Sequence, residues 1–336
     1  MSDPAKKKAE PLRLRLPATS ANLGPGFDAA AVALDFHLEI EARPAEKYSI
    51  TATGRDAERC SRIEDNLILG IYRRLLEEND REVVPLGLDM RNEIPLGMGC
   101  GSSAAGRLAA VALADHFGEL GWSSEQILEE ASRLEGHPDN VAACWHGGFV
   151  VAACEGHAVH VARVVPPAAW RAIVVLPANP LATSKARAVL PNCYSSEDAI
   201  ANIQSAALLA LAFAQGRGEL LETAMRDRIH QPYRASICPL LPQVLPLAGS
   251  HGILGAALSG AGPAVLVIVD GEQRVEEASL AIRGAVGDII KPELLICRFK
   301  ADGADRQALC DPNQAGNQGR ENQFGNQAST GHLSRE

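Results

Sequence analysis

The chain has 336 residues, an apolar fraction of 46% and a formal net charge of −9. That length and apolar content suit two domains, or one large one, around a real core. The acidic balance, with Lys6-Lys7-Lys8 as the only basic run, argues against a nucleic-acid partner. No uninterrupted apolar stretch reaches the ~18 residues of a membrane span, and the N-terminus lacks the apolar core of a signal peptide. Cysteines stand singly at positions 60, 100, 144, 154, 193, 238, 297 and 310, with no C-x-x-C pair. Zinc and redox readings are therefore weak, and buried thiols in a reducing cytoplasm are expected.

Residues 1–11 are expected to be disordered. Residues 12–16 alternate Leu and Arg, the pattern of a half-buried strand. Residues 17–26 read as a turn-rich loop, and 30–40 and 48–53 as strands. Residues 66–79 are predicted helical, with Leu67, Ile68, Ile71 and Leu75 near helical spacing. A strand at 86–90 leads through a glycine-rich run into a helix former at 107–115. A further helix starts at Ser124, where Ser123 or Ser124 serves as cap and Gln126 suits a capping box. Gly147-Gly148 introduces a strand at 149–154, and Pro166-Pro167 is the best candidate linker.

The second half begins with a strand at 172–176. Helices are predicted at 183–189, 197–214 and 219–229, and strands at 253–259 and 264–269 about a Gly/Pro turn. A helix at 275–286 and a strand at 294–299 complete the pattern, which argues for an α+β fold. Residues 311–336 are rich in Asn, Gln, Gly and Ser and are expected to form a disordered tail.

The run Pro95-Leu96-Gly97-Met98-Gly99-Cys100-Gly101-Ser102-Ser103-Ala104-Ala105 lies between a strand and a helix. Such a turn exposes backbone N–H groups and aims a helix N-terminus at its contents, an arrangement that binds phosphate. It is not a Walker A loop, because Arg107-Leu108 follow Gly106 where Lys and Ser/Thr are needed. The dinucleotide fingerprint also fails, since Ser102 stands in place of the third glycine. The phosphate site is expected to use the hydroxyls of Ser102 and Ser103; packing alone, with a serine as an ordinary N-cap, is the plainer alternative. Ala104-Ala105-Gly106 keeps the helix thin enough to pack closely on a sheet.

Three segments together resemble the GHMP kinases in their homoserine kinase form. Pro17-Ala18-Thr19-Ser20-Ala21-Asn22-Leu23-Gly24-Pro25-Gly26-Phe27-Asp28 resembles the first motif, the run from Pro95 to Ala105 the second, and Leu258-Ser259-Gly260-Ala261-Gly262-Pro263 the third. Glu135-Gly136-His137-Pro138-Asp139-Asn140-Val141 points to the same branch. The departure is Cys100, where the family usually has Leu; only a packing change is expected from it. The resemblance implies ATP-dependent phosphorylation of the side-chain hydroxyl of L-homoserine, with Mg²⁺, on the route to threonine. It also implies an N-terminal domain like ribosomal protein S5 domain 2 at 12–165 and a ferredoxin-like domain at 166–305. A polar tail from 306 to 336 follows, and the active site lies between the domains. A homodimer is compatible with this reading; a nucleic acid or a membrane is not expected as a partner.

The resemblance also implies roles. The loop from Pro95 to Ala105 holds the phosphates of ATP, and Ser103 reaches Mg²⁺. The family has a metal-binding Glu on the next helix, and ungapped counting puts it at Glu129, with Glu130 and Glu135 as rivals. Glu129 and Glu130 stand about 100° apart round a helix, so both cannot face the site equally. Asn22 and Asp28 contact the substrate, Asp28 suiting the α-ammonium group; plain turn chemistry beside Gly24-Pro25-Gly26 is the alternative. Arg187 and Arg234 suit the α-carboxylate, since guanidinium is its bidentate partner. Thr183 and His137 join the substrate side. Asn66 contacts adenine or caps a helix. The small residues Ser259, Gly260, Gly262 and Pro263 shape a turn over the substrate.

The expected catalytic set is Asn140, Asp139 and Arg187. Other family members carry Asp at the position of Asn140, and an amide cannot take a proton. Asn140 then orients the hydroxyl, with positioning and charge stabilisation dominating a loose transition state, and Asp139 is the rival base. Another small-molecule kinase of the family, acting on mevalonate or shikimate, and a ligand-binding pseudokinase are the competing readings.

Overall fold

The structure, a computed structural model, describes residues 10–287 and 291–309. The chain starts with two long antiparallel strands, β1 (Leu12–Asn22) and β2 (Gly26–Pro44). Strand β3 (Ser49–Gly54) is followed by the short helix α1 (Ala57–Cys60) and by α2 (Leu67–Glu78). Strand β4 (Leu86–Asn92) then pairs parallel with β3 and antiparallel with β2. Three helices follow: α3 (Ser102–Gly118), α4 (Ser124–Glu135) and α5 (Asp139–His146). Strand β5 (Phe149–Glu155) pairs with β2 and with β6 (Ala158–Val164).

The proline pair leads into β7 (Arg171–Leu176) of a second sheet. Helices α6 (Thr183–Ala188), α7 (Ser196–Gln215), α8 (Leu221–Ala224), α9 (Gln231–Arg234) and α10 (Leu241–Val244) come next. Strands β8 (Ile253–Leu258) and β9 (Val265–Val269), helix α11 (Val275–Val286) and β10 (Glu293–Cys297) complete this half. The second sheet runs β10-β7-β9-β8, antiparallel throughout. The last strand, β11 (Asp305–Ala308), pairs with β1 in the first sheet, whose main path is β11-β1-β2-β4-β3.

The apolar patterns explain the packing. In β7, Ala172, Val174 and Leu176 face a core shared with the first sheet, while Ile173 and Val175 face α10 and α11. Two-residue alternation thus gives both faces of this sheet something to cover them. Helix α2 buries Ile68, Leu69, Ile71, Tyr72, Leu75 and Leu76 on one side, at helical spacing. Helix α3 is different: thirteen of its seventeen residues are buried, so it is the central helix of the first unit. It is flanked by α2 and α4 and lies against β1 and β2. A Cβ on Gly106 would lie 3.2 Å from the Leu67 side chain, so that glycine serves the close approach of α2 rather than of the sheet. The expected capping box at Ser123 and Gln126 is present.

Several expectations change. The loop expected at 17–26 is mostly strand: β1 continues to Asn22, leaving a turn at 23–25. Residues 17–22 are all buried, and pairing with β2 outweighs their local turn preference. The helix expected at 219–229 is broken. Only Leu221–Ala224 is α-helical, because the Asp227 carboxylate takes the N–H groups of Ile229, His230 and Gln231 at 2.9, 2.9 and 2.6 Å and starts α9 instead.

The domain limits change as well. Residues after β10 return to the first sheet: Lys300 N–H donates to the Ala33 carbonyl at 2.9 Å, and Leu12 pairs with Ala308. The C-terminal domain therefore does not extend to 305, and the polar tail does not begin at 306. The outer edge of β1 needs a hydrogen-bonding partner, and 305–308 supply it. Arg306 also pairs with the nearly buried Asp115 at 2.7 Å. Of the segments expected to be disordered, 1–11 and 306–336, residues 1–9 and 310–336 lie outside the described residues, while 10, 11 and 306–309 are described.

Candidate active site

The glycine-rich run turns its carbonyls outward. Those of Gly97, Met98 and Cys100 accept from the N–H groups of Leu181, Ala264 and Thr19, and that of Gly99 accepts from the Ser259 hydroxyl. Among the described residues, no N–H from Gly97 to Ala104 donates to a protein acceptor. These free donors meet the N-terminus of α3, which makes a concentrated anion site. Gly99 has φ +80°, and a Cβ there would lie 2.1 Å from the Ser259 carbonyl oxygen. The phosphate loop therefore rests directly on the third motif, at the junction of the two sheets. Cys100 is buried, its thiol pushed up to about 12 by burial, so its side chain packs as a small apolar group. Ala104 and Ala105 are buried in α3.

One cavity at this junction brings together Gly97, Gly99, Gly101, Ser102 and Ser103 with Asn22, Asp28, His137, Asp139 and Asn140. Thr183, Arg187 and Arg234 reach it from the other side. A second cavity, about 540 Å³, shares Gly97, Ser102, Ser103 and Thr183 and extends to Asn66. Its size lies within the usual ~300–1,000 Å³ of small-molecule pockets. Pro95 and Met98 lie outside both; Leu96 lines the second. The Asn66 side chain caps α2, accepting from Ile68 and Leu69 and donating to the Arg62 carbonyl at 3.0 Å, so capping occupies its amide.

The metal reading on Glu129 is corrected. Glu129 lines neither cavity, whereas the Glu135 carboxylate sits 3.1 Å from the Ser103 hydroxyl. Six residues turn a helix through about 600°, so Glu129 lies ~120° round and ~9 Å back along α4 from Glu135. Glu130 is held by Arg133 on the exposed side. Burial raises the Glu135 carboxyl above its ordinary value, against the pull of Arg107 and His137. Arg107, 2.6 Å from Glu135, also bonds the Ser103 hydroxyl.

Residues expected on the substrate side already have protein partners. The Asn22 amide accepts from the Asp28 N–H at 3.0 Å, as turn chemistry would have it, and donates to the Gly260 carbonyl of the third motif at 2.8 Å. Asp28 and Arg187 bind each other, at 2.7 and 3.1 Å, and are not separately free. Arg234 is buried; its Nε donates to the Ala186 carbonyl and its Nη1 to His230 Nδ1, leaving Nη2 without a protein partner among the described residues.

At the start of α5, Asp139 Oδ1 accepts from the Asn140 N–H and from His137 Nδ1, both at 2.6 Å. Burial opposes the His137 imidazolium, but the Asp139 hydrogen bond and the charges of Asp139, Glu135 and Asp28 outweigh it and raise its pKa. Asn140 Oδ1 accepts from the Thr19 hydroxyl at 2.6 Å. Asp28, His137 and Asp139 also place ligand atoms within 4.8 Å of one another. Within this trio His137 and Asp139 are joined by a hydrogen bond, and Asp28 is paired with Arg187.

Models of two families match: GHMP kinases N terminal domain over residues 66–148 and GHMP kinases C terminal over 209–288. A homoserine kinase of Solibacter usitatus is 46% identical over 258 residues, covering 76% of this chain and 84% of its own. The chain belongs to the homoserine kinases of the GHMP kinase family. A homoserine kinase of Deinococcus radiodurans is 40% identical, over 83% of this chain and 89% of its own. The crystal structure of the homoserine kinase from Cytophaga hutchinsonii is similar with TM-score 0.76 and 25% identity, over 91% of this chain and 100% of that one. A mevalonate kinase of L. major in complex with R-mevalonate, TM-score 0.66 at 14% identity, covers 89% of this chain and 99% of its own and shares the fold alone. The α+β GHMP-kinase fold expected from the motifs is thereby established.

Within this homoserine kinase architecture, some cavity-side residues escape sequence reasoning. Phe27 carries two guanidinium groups against its ring, with Arg187 Cζ 5.5 Å and Arg234 Cζ 5.3 Å from its ring centre. His230 stacks on Phe27 and fixes Arg234. Since arginine only donates, His230 Nδ1 must accept and its Nε2–H donates to the Gly24 carbonyl at 2.8 Å. Burial, with Arg234 adding to it, keeps this imidazole neutral against Asp227. Phe27 lies inside the first motif, which was the available signal; for His230 only its nearness to Arg234 in sequence hinted at a role.

Proposed function

We propose that the chain transfers the terminal phosphoryl group of ATP to the side-chain hydroxyl of L-homoserine, giving O-phospho-L-homoserine for threonine biosynthesis. The observation that carries this reading is one shared cavity. It joins the free N–H groups of the phosphate loop to a carboxylate and two guanidinium groups suited to a zwitterion. The α-ammonium group binds Asp28, and the α-carboxylate binds Arg187 together with the free Nη2 of Arg234. The substrate thus replaces one ion pair with two, which keeps the charges paired.

Ser103 and Glu135 offer two hard oxygens 3.1 Å apart beside the loop, the donor chemistry Mg²⁺ prefers. They would hold the ion, whose charge, when bound, offsets that of the phosphate oxygens. Arg107 balances Glu135 in the free protein. Asp139 Oδ1 is engaged by His137 and by the Asn140 N–H, which disfavours Asp139 as the base. The hydroxyl oxygen bonds to phosphorus as the bond to the leaving diphosphate oxygen breaks, and the hydroxyl proton passes to the transferred phosphoryl group. Positioning by Asn140 and charge stabilisation by the loop carry the step. The seven described cysteines are all free thiols, which supports a cytoplasmic setting.

A coupled ADP assay with Mg²⁺-ATP and L-homoserine, R-mevalonate or shikimate tests the proposal. Turnover confined to homoserine is expected. Preference for mevalonate or shikimate overturns the substrate assignment, and binding of both ligands without ADP release makes the chain a pseudokinase.

A further inference from the structure

Thr19 lies toward the C-terminal end of β1, fully buried, and touches two parts of the site at once. Its N–H donates to the Cys100 carbonyl of the phosphate loop at 3.1 Å. A Cβ on Gly101, the residue before α3, would fall 1.9 Å from its hydroxyl oxygen. That hydroxyl donates to Asn140 Oδ1 at 2.6 Å. On the other side of the amide, Asn140 Nδ2 lies 3.3 Å from Asp139 Oδ1. A carboxylate oxygen only accepts, so the amide nitrogen must face Asp139 and the amide oxygen must face Thr19.

We propose that Thr19 is a positioning residue for phosphoryl transfer, holding the Asn140 amide so that it meets the acceptor hydroxyl with an N–H and not with its oxygen. The inference rests on the kinase reading above and adds a residue and a direction to it. With Oδ1 engaged by Thr19, the second hydrogen on Nδ2 is the group left for the substrate. It donates to one lone pair of the hydroxyl oxygen, and the other lone pair attacks phosphorus. The hydroxyl proton then finds no acceptor on Asn140 and goes to the phosphoryl oxygen, which balances the step. Without the Thr19 hydroxyl, only the longer contact to Asp139 fixes the plane of the amide. The substrate still binds through Asp28, Arg187 and Arg234, but its hydroxyl is no longer aimed.

Thr19→Val keeps the shape and removes the donor. The expected result is a fall in kcat of about 10- to 100-fold, the range that misplacement of a reacting group produces, with KM for homoserine and for ATP within about twofold. Thr19→Ser restores most of the rate. In an Asn140→Ala background, Thr19→Val costs nothing further, because the two act as one unit. An unchanged kcat in Thr19→Val overturns the proposal, as does a loss that multiplies with that of Asn140→Ala. A raised KM for ATP also overturns it, since the residue then acts through the loop. If Thr19→Val does not fold, Thr19→Cys, of similar size and a weak donor, is expected to show the same split between kcat and KM, and a wild-type rate in it is equally fatal. Unmodified protein inert toward homoserine overturns the kinase reading as well; active protein indifferent to Thr19 overturns this inference alone.

Discussion

Asp28 and Arg187 meet across the cleft, the carboxylate accepting from Nη2 and Nη1 of the guanidinium at 2.7 and 3.1 Å. One residue follows the β1–β2 turn and the other lies on α6, so the pair joins the two halves of the cavity. Asp28 stands at φ +56°, a left-handed conformation that aims its side chain into the cleft.

Asp28→Asn removes the carboxylate and keeps the shape. The KM for homoserine is expected to rise about 10- to 100-fold, as befits the ~1.5–3 kcal/mol of a charged hydrogen bond, with KM for ATP little changed. Both side chains are more than a third exposed, so the pair adds little to stability and the thermal midpoint is expected to move by about 2 °C or less. Initial-rate kinetics and a melting curve check both statements.

Glu135→Gln and Glu129→Gln separate the two candidate metal carboxylates. The first is expected to lower turnover at least ~100-fold at fixed Mg²⁺ and to weaken Mg²⁺ binding, because one of two protein oxygens loses its charge. The second is expected to stay within about twofold of the unmodified protein. Titration of Mg²⁺ against rate, and calorimetric binding of Mg²⁺-ADP, read the difference.

The raised pKa of His137 links the site to pH. Burial works against its charge, but its hydrogen bond to Asp139 and the neighbouring carboxylates prevail. Its contribution to stability is therefore complete below its ordinary 6.5 and lost as pH rises through the higher folded value. The buried His37 and His230 have lowered values and act in the opposite sense, gaining stability as they lose their protons. The difference between the unmodified protein and His137→Gln isolates the effect: the gap in thermal midpoint is expected to be largest at acidic pH and to close above 6.5.

Gly99→Ala tests the seat of the phosphate loop. A Cβ there meets the Ser259 carbonyl oxygen at 2.1 Å, at a φ of +80°. Strain and overpacking together are expected to cost about 2–5 kcal/mol. Denaturant unfolding measures the loss, and KM for ATP is expected to rise in any folded fraction.

The motifs were legible because their constraints are local. A phosphate loop needs glycines at positive φ and hydroxyls at a helix start, and both are visible as residue types in order. The capping box at Ser123 and Gln126 and the buried face of α2 were legible for the same reason. Glu129 was misplaced because ungapped counting carries no angular information, whereas the facing of a helix is set by what packs on it. The segment 219–229 looked helical by composition, and only the Asp227 carboxylate, reaching forward to three N–H groups, shows why the helix stops.

By itself the sequence determined the fold family, the order of elements and the residue types that can hold phosphate and an amino acid. Only the tertiary structure decided which carboxylate faces Ser103, that Asp28 and Arg187 bind one another, that the Asn22 amide bridges the first motif to Gly260 while that of Asn66 caps its own helix, and that 305–308 close the edge of the first sheet. The physical reason is reach. Backbone conformation and periodicity are encoded within a few neighbours, but the partner of a charged or amide side chain is chosen by residues a hundred or more positions away, such as Arg187 for Asp28 and Thr19 for Asn140.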